Sequence, residues 1–230
     1  DFSSNPTIHI SRWAILAGLA LMVLFVVGFV YWFIIRVEVN AGEILVLVNK
    51  TGYELPSELT HEFGDQVVLF PELVHAIATK TNRTDDYVRE HYKGIRHEVL
   101  PEGRYFPNPY SYKSIKLAAT TIEQNGMGVL IRKFGKPLPF PKTVATEPDE
   151  RGPVTEYLPP GRHNINLLAY EVQRFPAIQI PEGHMGVVTL LSGLEPTHKN
   201  TFTVEPGEKG VQRETLAPGL EYYNPYLKRI

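Results

Sequence analysis

The 230-residue chain contains no cysteine, which excludes disulfides, thiolate metal sites and cysteine nucleophiles. It also lacks a strong charge of either sign. Its 23 Lys and Arg against 25 Asp and Glu leave a net charge of −2, and nothing in that balance points to nucleic acid. Catalytic signatures are missing too: there is no Gly-x-Ser-x-Gly elbow, phosphate loop, dinucleotide fingerprint or His-Glu-x-x-His. His91 and His97 lie beside Glu90 and Glu98, but not at a usual ligand spacing, and surface histidines are the expectation. These absences predict neither an enzyme nor a bound cofactor or metal.

What is present begins with one apolar run. From Trp13 to Ile35 there are 23 residues without a charge, bracketed by Arg12 and Arg36. At about 1.5 Å per residue the run makes a helix of roughly 35 Å, enough to cross a hydrocarbon core of about 30 Å. Trp13 at one end and Tyr31-Trp32 at the other suit the two membrane interfaces. A signal peptide would be shorter and would end on small residues rather than Tyr31-Trp32-Phe33-Ile34-Ile35-Arg36. A single-pass anchor in a cell or organelle membrane is predicted. Arg12 against Arg36 and Lys50 leaves the side undetermined; the reading leans to an extracytoplasmic soluble region.

Beyond the helix the chain repeats itself. Lys93 to Gly103 returns as Arg151 to Gly161 and again as Lys209 to Gly219, 58 residues apart each time. Each copy holds a Gly, then Glu98, Glu156 or Glu214, then a Leu and a second Gly, and Asn108, Asn166 and Asn224 extend the match. Upstream, Val39 to Gly52 aligns with Ile122 to Gly135 and Ile180 to Gly193. The repeated slots predicted to be structural turns are Gly42, Asn125 and Gly183; Gly52, Gly135 and Gly193; Gly94, Gly152 and Gly210; Gly103, Gly161 and Gly219. Asn125 in a glycine slot predicts a left-handed turn there, and the Pro-rich surroundings of the last slot, with Pro160-Gly161 and Pro218-Gly219, predict type II turns. Nineteen prolines and 18 glycines fit turn-rich β modules that need their neighbours to complete a core.

The predicted organisation is a tail and transmembrane helix over 1–36 (span 13–35), a first β module over 37–121, a second over 122–179 and a third over 180–230. The first carries 25 extra residues, because its Gly52-to-Gly94 interval is 42 against 17 in the others. This insertion, about 54–92, holds Pro71 ahead of an apolar-periodic run and then Asp85 to Glu90, two helix-opening patterns. It is read as a lid on one end of the array, with partner contact as the alternative.

The recurring Glu98, Glu156 and Glu214 are expected to accept backbone N–H groups at turns rather than act as acids or bases. Tyr105, Phe106, Tyr110, Tyr222, Tyr223 and Tyr226 cluster after the Pro-Gly pairs and are the possible interface, between modules or between subunits. Asn49-Lys50-Thr51 and Asn82-Arg83-Thr84 fit the glycosylation acceptor pattern.

Ile180-Pro181-Glu182-Gly183-His184-Met185-Gly186-Val187-Val188, followed by Leu216-Ala217-Pro218-Gly219-Leu220 and Tyr222-Tyr223-Asn224-Pro225, resembles the opening of an SPFH or band 7 domain. This is the superfamily of stomatin, prohibitin and flotillin. The serial modules are similar in style to the β repeats of the major vault protein. The resemblance implies the amino-terminal portion of a longer, membrane-anchored scaffold. Such a scaffold would form homo-oligomers, or hetero-oligomers with related SPFH proteins, and organise or enclose membrane protein complexes. Two extra modules between helix and match depart from simple stomatins. The alternatives are an accessory subunit of one membrane complex and, further off, an enzyme with a site between modules.

Overall fold

The computed structural model describes residues 12–56, 58–59, 67–198 and 202–230; the tail over 1–11 and part of the insertion lie outside them. The fold is mainly β behind one apolar helix. Helix α1 (Arg12–Val30) runs into a wider π-helical turn (Tyr31–Ile35). Together, Arg12–Ile35 is long and apolar enough to cross a membrane, and none of it is buried against the rest of the chain. Arg36 turns the backbone to an extended conformation, and strand β1 (Val37–Val39) starts at the next residue.

The first module has β2 (Glu43–Asn49), β3 (Val68–Leu69), β4 (Gly94–Leu100), β5 (Gly103–Tyr105) and β6 (Tyr112–Ala118). The second has β7 (Thr120–Ile122), β8 (Gly126–Arg132), β9 (Gly152–Leu158), β10 (Gly161–His163) and β11 (Tyr170–Pro176). The third has β12 (Ile178–Ile180), β13 (Gly186–Leu190), β14 (Gly210–Leu216), β15 (Gly219–Glu221) and β16 (Lys228–Arg229).

One topology serves all three. A central strand, β2, β8 or β13, pairs antiparallel with two outer ones, and a short ribbon, β1–β5, β7–β10 or β12–β15, folds over one face. The ribbon sits close. A Cβ on Gly128 would lie 2.9 Å from Ile122 Cδ1, and one on Gly186 would lie 2.7 Å from Ile180 Cδ1. Only Ala119 and Ala177 separate the last strand of one module from the first of the next, so successive modules are joined without a flexible linker.

The insertion folds as α2 (Pro71–Thr81) and α3 (Asp85–His91). Pro71 occupies the first turn of α2, where its missing N–H costs nothing. The Thr84 hydroxyl caps α3 by accepting from Tyr87 N–H at 3.3 Å. The lid expected over one end of the array is not what forms. Leu73, Val74, Ile77, Ala78 and Val88 join Phe70 in the largest core cluster, which also takes in Phe134 and Ala169 of the second module. Apolar residues on one face of each helix are buried most fully at a flank shared by two modules, and that is where they settle.

Two turn expectations change. Gly42 and Gly183 have φ of +88° and +79°, but among the described residues Asn82 is the only non-glycine with positive φ. Asn125 therefore makes its turn without the left-handed conformation. The Gly126 N–H still closes onto Glu123 O at 3.0 Å, as a type I turn permits. Gly103, Gly161 and Gly219 have φ of +156°, +138° and +153°, well beyond the roughly +80° of a type II turn; they open β5, β10 and β15 instead.

The slot of Gly52, Gly135 and Gly193 is set by contact. An added Cβ would lie 2.1 Å from His91 O, 2.3 Å from Asp149 O or 2.5 Å from Gly207 O, where two chain segments cross. Gly135→Ala is expected to destabilise the chain by at least about 2 kcal/mol, measured by denaturant unfolding of the full chain in detergent.

Candidate functional site

The sequence offers no catalytic constellation, so the structurally distinctive site is the junction between modules. It starts from a bulge. Val46 pairs with Val99 and Val48 with Ile95, leaving residues 96–98 of β4 opposite a single position of β2. The same shift separates Val129 from Ile131 along β9 and Val187 from Thr189 along β14. A bulge takes residues out of the ladder and frees backbone groups for other partners. Glu98, Glu156 and Glu214 sit in these bulges, exposed. They are not the turn acceptors expected of them: Glu98 instead receives Arg89 Nη1 at 2.9 Å.

The freed carbonyls meet an asparagine from the next module. Asn166 Nδ2 donates to Arg96 O at 2.8 Å and reaches His97 O at 3.5 Å. One repeat later Asn224 Nδ2 donates to Val154 O at 2.7 Å and Thr155 O at 3.0 Å. Both asparagines are buried. Each also builds its own loop, since Leu168 N–H and Tyr226 N–H donate to the Oδ1 atoms at 3.1 and 3.0 Å. The side chain thus needs an acceptor for its loop and a donor for its neighbour, a combination an amide supplies and a carboxylate does not. Asn108 builds the same loop, with Tyr110 N–H on its Oδ1 at 3.0 Å, but it is exposed, and among the described residues its loop faces the apolar helix rather than a bulged strand. The sequence marked these asparagines only as part of the repeat; their pairing with the bulge carbonyls is long-range and leaves no local signal.

The aromatic residues divide among four places. Tyr222 donates to Gln124 O at 2.6 Å and stacks near Tyr157, while Tyr226 donates to Gln173 Oε1 at 2.6 Å, both across the junction between second and third modules. Tyr223 N–H donates to Met127 Sδ at 3.0 Å. Phe106 stacks on Tyr31 at 5.1 Å and lies 6.5 Å from Trp32, so the first docking loop meets the end of the apolar helix. Tyr105 packs in its own module beside Val39 and Leu45. Tyr110 is 84 % exposed.

His91 and His97 do not come together. His91 stacks on Tyr87 and bonds Tyr87 O, whereas His97 shares a 2.9 Å hydrogen bond with the Tyr170 hydroxyl at the first junction. Burial pushes the His97 pKa down; Glu72 and Glu98 oppose this, and Arg132 and Arg89 add to it. His97 is thereby kept neutral, the form that suits a contact between modules. Among the described residues no group of three His, Asp or Glu could hold a metal ion. A cleft of about 300 Å³ beside the first junction is lined by Pro71, Asp86, Arg89, Arg96, His97 and Glu98, charges of both signs. Asn49 of the first acceptor triplet is buried, with its Nδ2 committed to Arg89 O and Tyr92 O at 2.7 and 2.8 Å.

Among the described residues other glutamates accept backbone N–H groups: Glu43 takes Asn40 N–H at 3.1 Å, and Glu150 and Glu208 each gather two or more. Glu150 takes Thr146 N–H and Glu147 N–H at 2.9 and 3.0 Å and pairs with Lys142. Burial pushes its pKa up, but the Glu147 N–H, Lys142 and the Thr146 N–H outweigh that and hold it below the ordinary 4.5. Glu208 is also lowered, first by the Thr197 hydroxyl and then by the N–H groups of Thr197 and Glu205. No protein-family model, curated protein or solved structure matches the chain.

Asn166→Ala and Asn224→Ala are each expected to cost about 1–3 kcal/mol, because each removes a buried amide that bonds its own loop and the preceding module. Asn108→Ala should stay within about 0.5 kcal/mol. Asn224→Asp at pH 7 should cost at least as much as Asn224→Ala, since its carboxylate would face two carbonyls; denaturant unfolding with hydrogen exchange at β9 compares the three sites. A carboxylate with a depressed folded pKa contributes stability above its unfolded pKa and loses it as pH falls through the folded value. Glu150→Gln should therefore lower the melting temperature at pH 7, with the gap from the parent closing below pH 4.5.

Proposed function

We propose that the chain acts as a membrane-anchored scaffold of the SPFH or band 7 type. In this reading α1 is a single-pass anchor, and copies associate side by side, with one another or with related proteins, to organise or enclose membrane protein complexes. The observation that carries it is a row of like edges. Strands β6, β11 and β16 are each the outer strand of their sheet, and Ala119 and Ala177 hold successive modules in a fixed sequence.

An open strand edge is a template for pairing, and charged side chains restrict it to chosen partners. Lys113, Glu171 and Arg229 occupy one exposed slot along the three edges, and Lys116 and Arg174 another. Alternating sign in the first of these slots suits a neighbour presenting the complementary order. The apolar helix supports the anchor directly, since Arg12–Ile35 is long and apolar enough to cross a membrane and is not buried against the rest of the chain, although its end meets Phe106 through Tyr31 and Trp32.

Mass photometry of the full chain extracted into nanodiscs tests the reading. A large particle of many identical copies is expected. One or two copies held to other polypeptides would replace the scaffold by an accessory subunit of one complex. Lys113→Glu, which reverses one edge charge, is expected to shift the population toward smaller particles, and an unchanged distribution would remove the β6 edge from the contact.

A further inference from the structure

The third module leaves open a face that the other two cover. Ile44, Met127 and Met185 hold one repeated slot; the first two are fully buried and Met185 is 68 % exposed. Val46, Val129 and Val187 hold the next slot on the same face, and again only the third is exposed, at 49 %. What covers Met127 is the following module, whose Tyr223 N–H reaches its sulfur. The bulge is present as well: residues 212–214 of β14 stand out of the ladder as 154–156 of β9 do. Gln212 O and Arg213 O, the equivalents of Val154 O and Thr155 O, receive no asparagine among the described residues.

We propose that this face is the docking seat for a further β module of the same build. That module would be joined through β16 as the second is joined through β6 and the third through β11. Its docking loop would place an asparagine Nδ2 on Gln212 O and Arg213 O and cover Met185 and Val187. Both existing junctions supply the argument, because each combines this bulge, this asparagine and this buried apolar pair. A second copy of the chain is not the occupant. Its Asn166 and Asn224 are spent on its own junctions, and its first docking loop lies against the apolar helix through Phe106. The inference concerns stacking along one polypeptide and does not rest on the scaffold reading.

The absence of native cysteine permits a direct test. Met185→Cys, Val187→Cys and, as buried controls, Met127→Cys and Val129→Cys are made singly in the full chain in nanodiscs and labelled with a maleimide. Cysteines at 185 and 187 should label fast and those at 127 and 129 slowly. The chain is then extended after Ile230 by a copy of residues 173–230. This preserves the 58-residue spacing because Ile230 occupies the slot of Val172. Labelling at 185 and 187 should fall at least about tenfold, as expected for a site reached only by opening. Replacing the appended equivalent of Asn224 by Ala should restore part of the rate. Fast labelling beside an appended copy whose strands are protected from hydrogen exchange overturns the proposal. So does a copy that finds no seat and stays unprotected, or slow labelling at 185 and 187 in the unextended chain.

Discussion

The array depends on where the carbonyls of three bulged segments find their hydrogen bonds. A bulge in a small sheet leaves backbone acceptors outside the ladder, and a buried carbonyl without a partner costs on the order of 1–3 kcal/mol. Arg96 O and Val154 O each accept a hydrogen bond from an asparagine of the following module, Asn166 and Asn224. The local defect in one sheet is thereby the binding site for the next. A module of some 58 residues buries too little apolar surface to be robust by itself, so the same contact that satisfies the bulge also brings in the missing core. Met127 under the third module's loop is an example at the second junction, and Phe134 beside Phe70 one at the first.

This arrangement gives the chain a direction. Each docking loop reaches back to the unit before it, and the first reaches back to the helix. Phe106 stacks on Tyr31, and Arg36 lies 4.8 Å from the Trp32 ring while pairing with Glu38 of β1. The apolar helix therefore takes the position a preceding module would hold, with aromatic contact in place of the asparagine bond. β1 follows Arg36 directly, so the helix joins the first module without an intervening loop.

The repeat keeps its jobs while changing the residues that do them. Asn49 in β2 donates to Arg89 O and Tyr92 O, and in the same slot of β8 Arg132 donates to Glu147 O and Glu150 O. Two unlike side chains tie down the segment that crosses behind the sheet. In the second and third modules that segment is organised by Glu150 and Glu208, each gathering N–H groups from a loop. In the first, α2 and α3 take over with an apolar core. A comparison of aligned letters ranks Glu98, Glu156 and Glu214 above Glu150 and Glu208 because three copies outweigh two, yet it is the latter pair that gathers backbone N–H groups.

The sequence by itself determined the apolar helix, the 58-residue repeat, the β character of the modules and the starts of α2 and α3. Each of these is written in local pattern: a run without charge, Gly and Pro at fixed spacing, Pro71 and then Asp85 to Glu90 at the starts of helical segments. Tertiary structure alone decided that Asn166 and Asn224 lock the modules, that the insertion lies on a flank shared by two modules, and that Asn125 makes its turn without a positive φ. The physical reason is distance along the chain. Asn224 and Val154 are 70 residues apart, and the acceptor exists only once a bulge has formed in a sheet whose strands are themselves far apart in sequence. Composition and spacing can announce that a module recurs, but what one module offers the next is set by backbone geometry that no single segment contains.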